Sequence, residues 1–181
     1  FGQNTNIGNN VKIGNFCKVQ NNVSIYEGVE LQDYVFCGPS MVFTNINDPR
    51  AKYPQRGTEF YAKTLVKEGA SIGANATVIC GNTIGRHAFI GAGAVVARDV
   101  PDYALVVGVP GKIKAWMSEA GEKLIFGDDN IAECKRTGKK YTSYRISITN
   151  LGIVNKVNKY INIDKSYNFK LPKIDEKYRK P

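Results

Sequence analysis

Counted from Phe1 in steps of six, the chain reads Phe1, Ile7, Ile13, Val19, Ile25, Leu31, Cys37, Phe43, all apolar. The residue four places after each of the first seven is Thr5, Val11, Cys17, Val23, Val29, Val35 and Met41, again apolar or small. The register lapses after Phe43 and resumes as Val66, Ile72, Val78, Ile84, Ile90, Val96, accompanied by Ala70, Ala76, Asn82, Ala88, Ala94 and Val100. Glycine follows the leading residue at Gly2, Gly8, Gly14, Gly38, Gly73, Gly85 and Gly91, where a tight corner has no room for a Cβ. A period of six matches neither the 3.6 of a helix face nor the 2 of a strand face. It matches a prism of short parallel strands in which each hexad is one side and three hexads make a coil. One coil cannot bury its own interior, so the stability of such a prism comes from stacked neighbours. Spacing alone does not set the handedness of the coil.

Thr44–Leu65 interrupts the repeat with a long polar and aromatic segment carrying Pro49, Pro54 and Gly57. Loops of this length inside a compact solenoid are usually functional or disordered. Its aromatics Tyr53, Phe60 and Tyr61 point to docking, in particular against a neighbouring subunit. The expected organisation is a β-helix over 1–110 with about 4–5 coils and a long loop at 44–65. A short helix over 111–123, a small β module over 124–148 and a basic tail over 149–181 follow it.

The net charge of +9 points at nucleic acid if taken whole. Residues 1–138 carry 14 basic and 13 acidic side chains, however, and residues 139–181 carry 11 and 3. The excess is therefore a property of the last 43 residues, whose lysines lie dispersed among Asn, Ile and Tyr without a recognition motif, and no nucleic-acid partner is expected. No apolar run approaches the ~18 residues of a membrane span. Cys17, Cys37, Cys80 and Cys134 are too sparse for a disulfide framework, so reduced thiols and a cytoplasmic location are expected. The first residue is Phe1 and no leader pattern is visible, which reads as a processed or clipped start.

The Ile-Gly hexads, together with Gln20–Val29 (QNNVSIYEGV), Asp33–Asn45 (DYVFCGPSMVFTN), Gly69–Val96 and Asp99–Pro110 (DVPDYALVVGVP), resemble one group of hexapeptide acyltransferases. These are left-handed β-helix N-acetyltransferases that modify the 3-amino group of UDP-linked uronates or dTDP-linked 6-deoxy sugars for lipopolysaccharide or S-layer glycans. The resemblance covers roughly residues 1–123. It implies a left-handed coil, a homotrimer, and acetyl-CoA lying between adjacent prisms where the sugar nucleotide meets it. Relatives usually carry about two further coils before the point matching Phe1, so the chain is expected to be clipped. Many also carry two paired-cysteine motifs of a zinc ribbon after the solenoid. Here those places read Ser118-Glu119-Ala120-Gly121 and Cys134-Lys135-Arg136-Thr137-Gly138. One ligand in four remains, so a degenerate module without metal is expected.

The resemblance implies a role for Asn45, whose family counterpart lies at the reacting amine, where an amide can orient the nucleophile or donate to the oxyanion. Asn22, Tyr26 and Arg50 are the candidates for the sugar nucleotide; Arg50 can fork onto a phosphate or carboxylate, and Tyr26 can stack or donate. For acetyl-CoA, the small residues Gly73, Ala74, Gly91, Gly93 and Ala94 would let the pantetheine arm lie against backbone. Val109 and Pro110 would flank it, with Arg98 and Lys112 meeting the phosphates. Corner geometry accounts for the glycines in any case. The one histidine, His87, is the only conventional base, yet relatives commonly have Tyr there and a surface or interface role is the favoured reading. A sugar amine partly neutral near pH 7 needs no protein base, because the departing thiolate can take its proton.

A γ-class carbonic anhydrase on the same fold needs three histidine ligands and is excluded by a single His. The remaining alternative is a non-catalytic β-helix scaffold or assembly paralogue, which the intact block ending at Asn45 argues against.

Overall fold

A computed structural model describes residues 1–55, 57–146 and 157–162. Strands of mostly two residues wind into a three-faced prism of five coils. The first face stacks Asn6–Ile7, Ser24–Ile25, Val42–Phe43, Thr77–Val78 and Val95–Val96, all parallel. The second stacks Lys12–Ile13, Val29–Leu31, Thr64–Val66 and Thr83–Ile84. The third stacks Lys18–Val19, Phe36–Cys37, Ser71–Ile72, Phe89–Ile90 and Ala104–Val107.

The residues of the six-step repeat point inward. Val19, Ile25, Leu31, Cys37, Phe43, Val66, Ile72, Val78, Ile84, Ile90 and Val96 are at most 2% exposed and form one continuous core with the companion positions. Each such side chain contributes about 1.5–3 kcal/mol on burial. Burial of the Cys37 thiol in this core pushes its pKa up to about 12, which makes it inert. The gradient along the axis follows from stacking, since Phe1 and Ile7 in the first coil remain 76% and 44% exposed.

At most corners one residue adopts the left-handed backbone region. Asparagine, which tolerates it, serves at Asn4, Asn10, Asn22 and Asn75. The corner between the second and third faces instead uses Phe16, Tyr34, His87 and Tyr103. These rings stack along the axis, Phe16 on Tyr34 at 5.0 Å and His87 on Tyr103 at 5.2 Å. A stacked pair is worth about 0.5–1.5 kcal/mol, which offsets part of the backbone strain.

Two features depart from expectation. Thr64 and Leu65 already belong to a strand, pairing with Val29 and Glu30, so the loop closes two residues earlier than the polar composition indicates. The expected helix over 111–123 is instead an extended segment, with Lys112–Trp116 antiparallel to Ala104–Val107. The last coil leaves Ala104–Val107 as an unpaired edge, and its free backbone groups capture Ile113 and Trp116, which have high β-propensity. Helical periodicity in a short window loses to that demand. The return strand caps the end of the prism.

Beyond it, Ile131–Glu133, Lys140–Ile146 and Val157–Asn162 form a small antiparallel sheet. Tyr103, Leu124, Ala132, Cys134 and Tyr141 form its core, against which Trp116 packs. The Cys134 thiol donates to the Glu122 carboxylate at 3.0 Å, and the Arg136 N–H donates to the same oxygen. A carboxylate thus ties together the two segments where a ribbon would place its ligands. Of the basic tail, 149–156 and 163–181 lie outside the described residues; 157–162 supply the third strand.

Candidate active site

Asn45 stands at the neck of the long loop, on the corner between the first and second faces. The loop inserts 17 residues into its coil, since paired positions 18 apart elsewhere are 35 apart across it. The neck is closed by the Ala62 N–H, which donates to the Asn45 carbonyl at 2.9 Å. Thr44 on one side of Asn45 is held by a 3.1 Å bond from its N–H to Val78 O. Its hydroxyl oxygen accepts the Cys80 N–H at 2.9 Å. Asn45 is half-buried, and among the described residues its side-chain amide has no hydrogen-bond partner. A fixed backbone with an uncommitted amide is the arrangement a substrate-facing group needs.

Tyr26 lies at the same corner, one coil earlier, in register with Thr44, and is 43% exposed. Arg50 projects from the loop, where one guanidinium N–H donates to Pro49 O at 2.8 Å. Asn22 is not brought to this group. It sits at the corner between the third and first faces, where its amide oxygen accepts from Asn4 at 3.2 Å in a ladder of left-handed corner residues. Four residues of strand separate it from Tyr26, about 13 Å at ~3.3 Å per residue.

The small-residue acetyl-CoA candidates, with Val109 and Pro110, gather at that same third corner, whereas Arg98 lies on the first–second corner, in register with Cys80 and Asn45. Gly73 and Gly91 are stacked in register, as are Gly93 and Asn75. A Cβ on Gly73 would lie 2.5 Å from Ala92 N, and one on Gly91 would lie 2.8 Å from the Val107 side chain. These two glycines are therefore demanded by coil stacking. Gly93 differs: its φ is +68° and a Cβ there would meet nothing within 4 Å. Ala74 is half-buried beside Gly73, whereas Ala94 is 0% exposed and its methyl belongs to the core, not to an outer wall. Val109 and Pro110 are exposed at the top of the corner, Val109 at 72%. Arg98 and Lys112 are brought together by the return of the chain over the end of the prism. They line one cavity of about 320 Å³ with Val96, Val100, Val106 and Ile113.

His87 lies on the remaining corner, away from Asn45. Its imidazole covers Gly69, whose Cα would otherwise carry a side chain into the ring, and stacks on Tyr103. Burial pushes its pKa below the ordinary value, opposed by the charges of Glu119 and Glu68. It is a packing residue. Among the described residues no group of three His, Cys, Asp or Glu is placed to hold a metal ion. No described helix is long and apolar enough to cross a membrane.

Sequence reasoning does not find the network of Cys80, Asn47 and Asn82 around Asn45. Cys80 falls in register with Asn45, a relation hidden by the inserted loop. The detectable signal is the repeat that resumes at Val66: its third hit, Val78, pairs with Phe43 and places Ile79 and Cys80 over Thr44 and Asn45.

The fold defines a class: a left-handed parallel β-helix of hexapeptide repeats, shared with known acetyltransferases. A hexapeptide-repeat-containing acetyltransferase of Vibrio cholerae O1 biovar eltor, solved with acetyl coenzyme A, superposes with a TM-score of 0.52 at 24% identity, covering 65% of this chain and 70% of that one. Serine acetyltransferase of Neisseria gonorrhoeae superposes with a TM-score of 0.52 at 26% identity over 61% of this chain and 41% of that one. In sequence, the chain is 51% identical over 83 residues to dTDP-3-amino-3,6-dideoxy-alpha-D-galactopyranose 3-N-acetyltransferase of Aneurinibacillus thermoaerophilus. That match covers 46% of this chain and 42% of the relative, so the chain spans less than half the length of that protein. No family model matches the chain. The resemblance drawn from the motifs is thus found in the relatives, at the level of fold over 61–65% of the chain and of sequence over 46% of it.

Proposed function

We propose that this chain transfers an acetyl group from acetyl-CoA to the 3-amino group of a nucleotide-linked amino sugar destined for a surface glycan. Asn45 carries the reading: its backbone is pinned at the loop neck, its amide is uncommitted, and it ends a motif block of the kind seen in sugar N-acetyltransferases. The relative from Aneurinibacillus thermoaerophilus favours a dTDP-linked 3-amino-3,6-dideoxyhexose over a UDP-linked uronate.

The neutral amine attacks the thioester carbonyl, forming the C–N bond. The tetrahedral oxyanion then collapses with cleavage of the C–S bond, and the thiolate leaves as thiol with the proton of the amine. This sequence needs no protein base, consistent with His87 lying on another corner. The Asn45 amide accepts from the amine or donates to the oxyanion, and its fixed backbone holds the geometry that alignment requires. Tyr26 and Arg50 on the same side address the sugar nucleotide. Acetyl-CoA is the co-substrate, with no metal, and such a reaction belongs in the cytoplasm.

Asn45 and the small-residue corner flank opposite edges of the first face, about 16 Å apart along a strand at ~3.3 Å per residue. A homotrimer in which one prism presents its loop corner to the next prism's small-residue corner would close that gap, and Asn22 would then also approach the substrate. Sedimentation of the full chain tests the trimer. The function is tested by turnover of acetyl-CoA with a panel of UDP- and dTDP-linked 3-amino sugars. Asn45→Ala should lower kcat by about 10²–10³, the cost of removing one oxyanion donor. Turnover near the wild-type level would exclude the assignment. Absence of acetyl-CoA binding would favour the scaffold alternative.

A further inference from the structure

We propose that Cys80 is a positioning residue that holds Asn45 through the two residues bracketing it. The inference rests on the reading of Asn45 given above and adds the group that orients it. The Cys80 N–H donates to Thr44 Oγ1 at 2.9 Å, and the Cys80 thiol donates to Asn47 Oδ1 at 3.2 Å. Asn45 therefore lies in a segment tied at both ends to one residue of the next coil. The Ala62 N–H adds a third tie, to the Asn45 carbonyl itself.

Cys80 is itself held. The Asn82 amide donates to Ile79 O at 2.7 Å and to Cys80 O at 3.4 Å, bracing the turn. Gly81 follows with φ +84°, and a Cβ there would rest 3.7 Å from the Ala62 methyl, so the turn and the closing end of the loop pack together. Cys80 is only 4% exposed. The thiol thus donates from the packed wall of the coil to a loop residue, Asn47, that is itself exposed.

The physical demand is clear. A long inserted loop has many conformations of its own, and catalysis by alignment tolerates little of that freedom. The rigid coil supplies the reference frame, and Cys80 transmits it to the first turn of the loop. The thiol acts here as a hydrogen-bond donor, without nucleophilic chemistry. Its removal leaves the Asn47 oxygen without its donor and a gap of one sulfur atom at the loop neck.

The test is steady-state kinetics of the full chain with acetyl-CoA and dTDP-linked 3-amino-3,6-dideoxygalactose, on Cys80→Ala and Cys80→Ser, with Asn45→Ala as reference. Cys80→Ala should lower kcat about tenfold, within the loss expected for a displaced catalytic group, and leave KM for acetyl-CoA within about twofold. Cys80→Ser keeps a donor and should recover most of that loss. Assays run well below each variant's unfolding temperature remove global stability from the comparison. Unchanged kcat in Cys80→Ala, or equal losses in the Ala and Ser variants, would overturn the positioning role. Retained turnover in Asn45→Ala would instead overturn the reading of Asn45, and the proposal with it.

Discussion

Two glycines of the third corner separate what the fold requires from what a ligand requires. At Gly73 an added Cβ would lie 2.5 Å from Ala92 N and 2.8 Å from Ala92 Cα, both backbone atoms of the next coil. The Gly73 N–H is bonded to Ile90 O at 2.7 Å, so the coils cannot part without losing that bond. Gly73→Ala should therefore cost about 1–3 kcal/mol, the range for overpacking. At Gly93 the added Cβ would meet nothing, and the cost is that of an L-residue at φ +68°, about 1 kcal/mol. For a chain of this size 1 kcal/mol corresponds to about 2–4 °C in Tm. If the pantetheine arm passes over this corner, the methyl added by Gly93→Ala intrudes on it. A clash of about 1.4 kcal/mol then raises KM for acetyl-CoA tenfold. Thermal unfolding at fixed protein concentration, paired with acetyl-CoA saturation curves, measures both quantities. An unchanged KM in Gly93→Ala would remove the corner from the cofactor path. Full stability in Gly73→Ala would refute the close-stacking argument.

Three further outcomes follow from the packing. Thr64 Oγ1 is buried and, among the described residues, has no hydrogen-bond partner, in register above Val29; Thr64→Val should gain about 1 kcal/mol and raise Tm correspondingly. Ile72→Ala, in a fully buried column position, should cost about 2–5 kcal/mol, whereas Ile7→Ala at the exposed first coil should cost less than about 1 kcal/mol; equal losses in denaturant melts would contradict the axial stacking gradient. The lowered pKa of His87 means that the unfolded chain binds the proton more readily. Its neutral, packed form contributes fully above its ordinary value of about 6.5, and stability is lost as pH falls below that value. In His87→Asn that component of the acid-side loss should disappear, while turnover at neutral pH is retained.

The six-residue period and its resumption after Phe43 are enough to specify a prism of stacked short strands, because an inward column of apolar residues every six positions has no other regular solution. The same pattern marks the inserted loop and, through the motif ending at Asn45, one candidate site residue. Glycines are legible as corners, though not which corner is crowded and which open: Gly73 and Gly93 differ only in what the adjacent coil places against them. Ala94 reads as a wall residue from its neighbours, and its burial is set by the phase of the repeat. The segment 111–123 escapes a sequence reading because its backbone answers to the unpaired edge of Ala104–Val107, a partner defined only after the last coil is wound.

What the sequence determined by itself is therefore the local and periodic part: coil, core column, loop and the segregation of charge into the tail. What only the tertiary structure decided is the set of relations between coils. Cys80 over Asn45, His87 over Gly69, and the meeting of Arg98 with Lys112 all join residues brought together by stacking or by chain return. Stacking fixes such contacts by register along the axis, and an inserted loop of 17 residues shifts that register by an amount composition does not reveal.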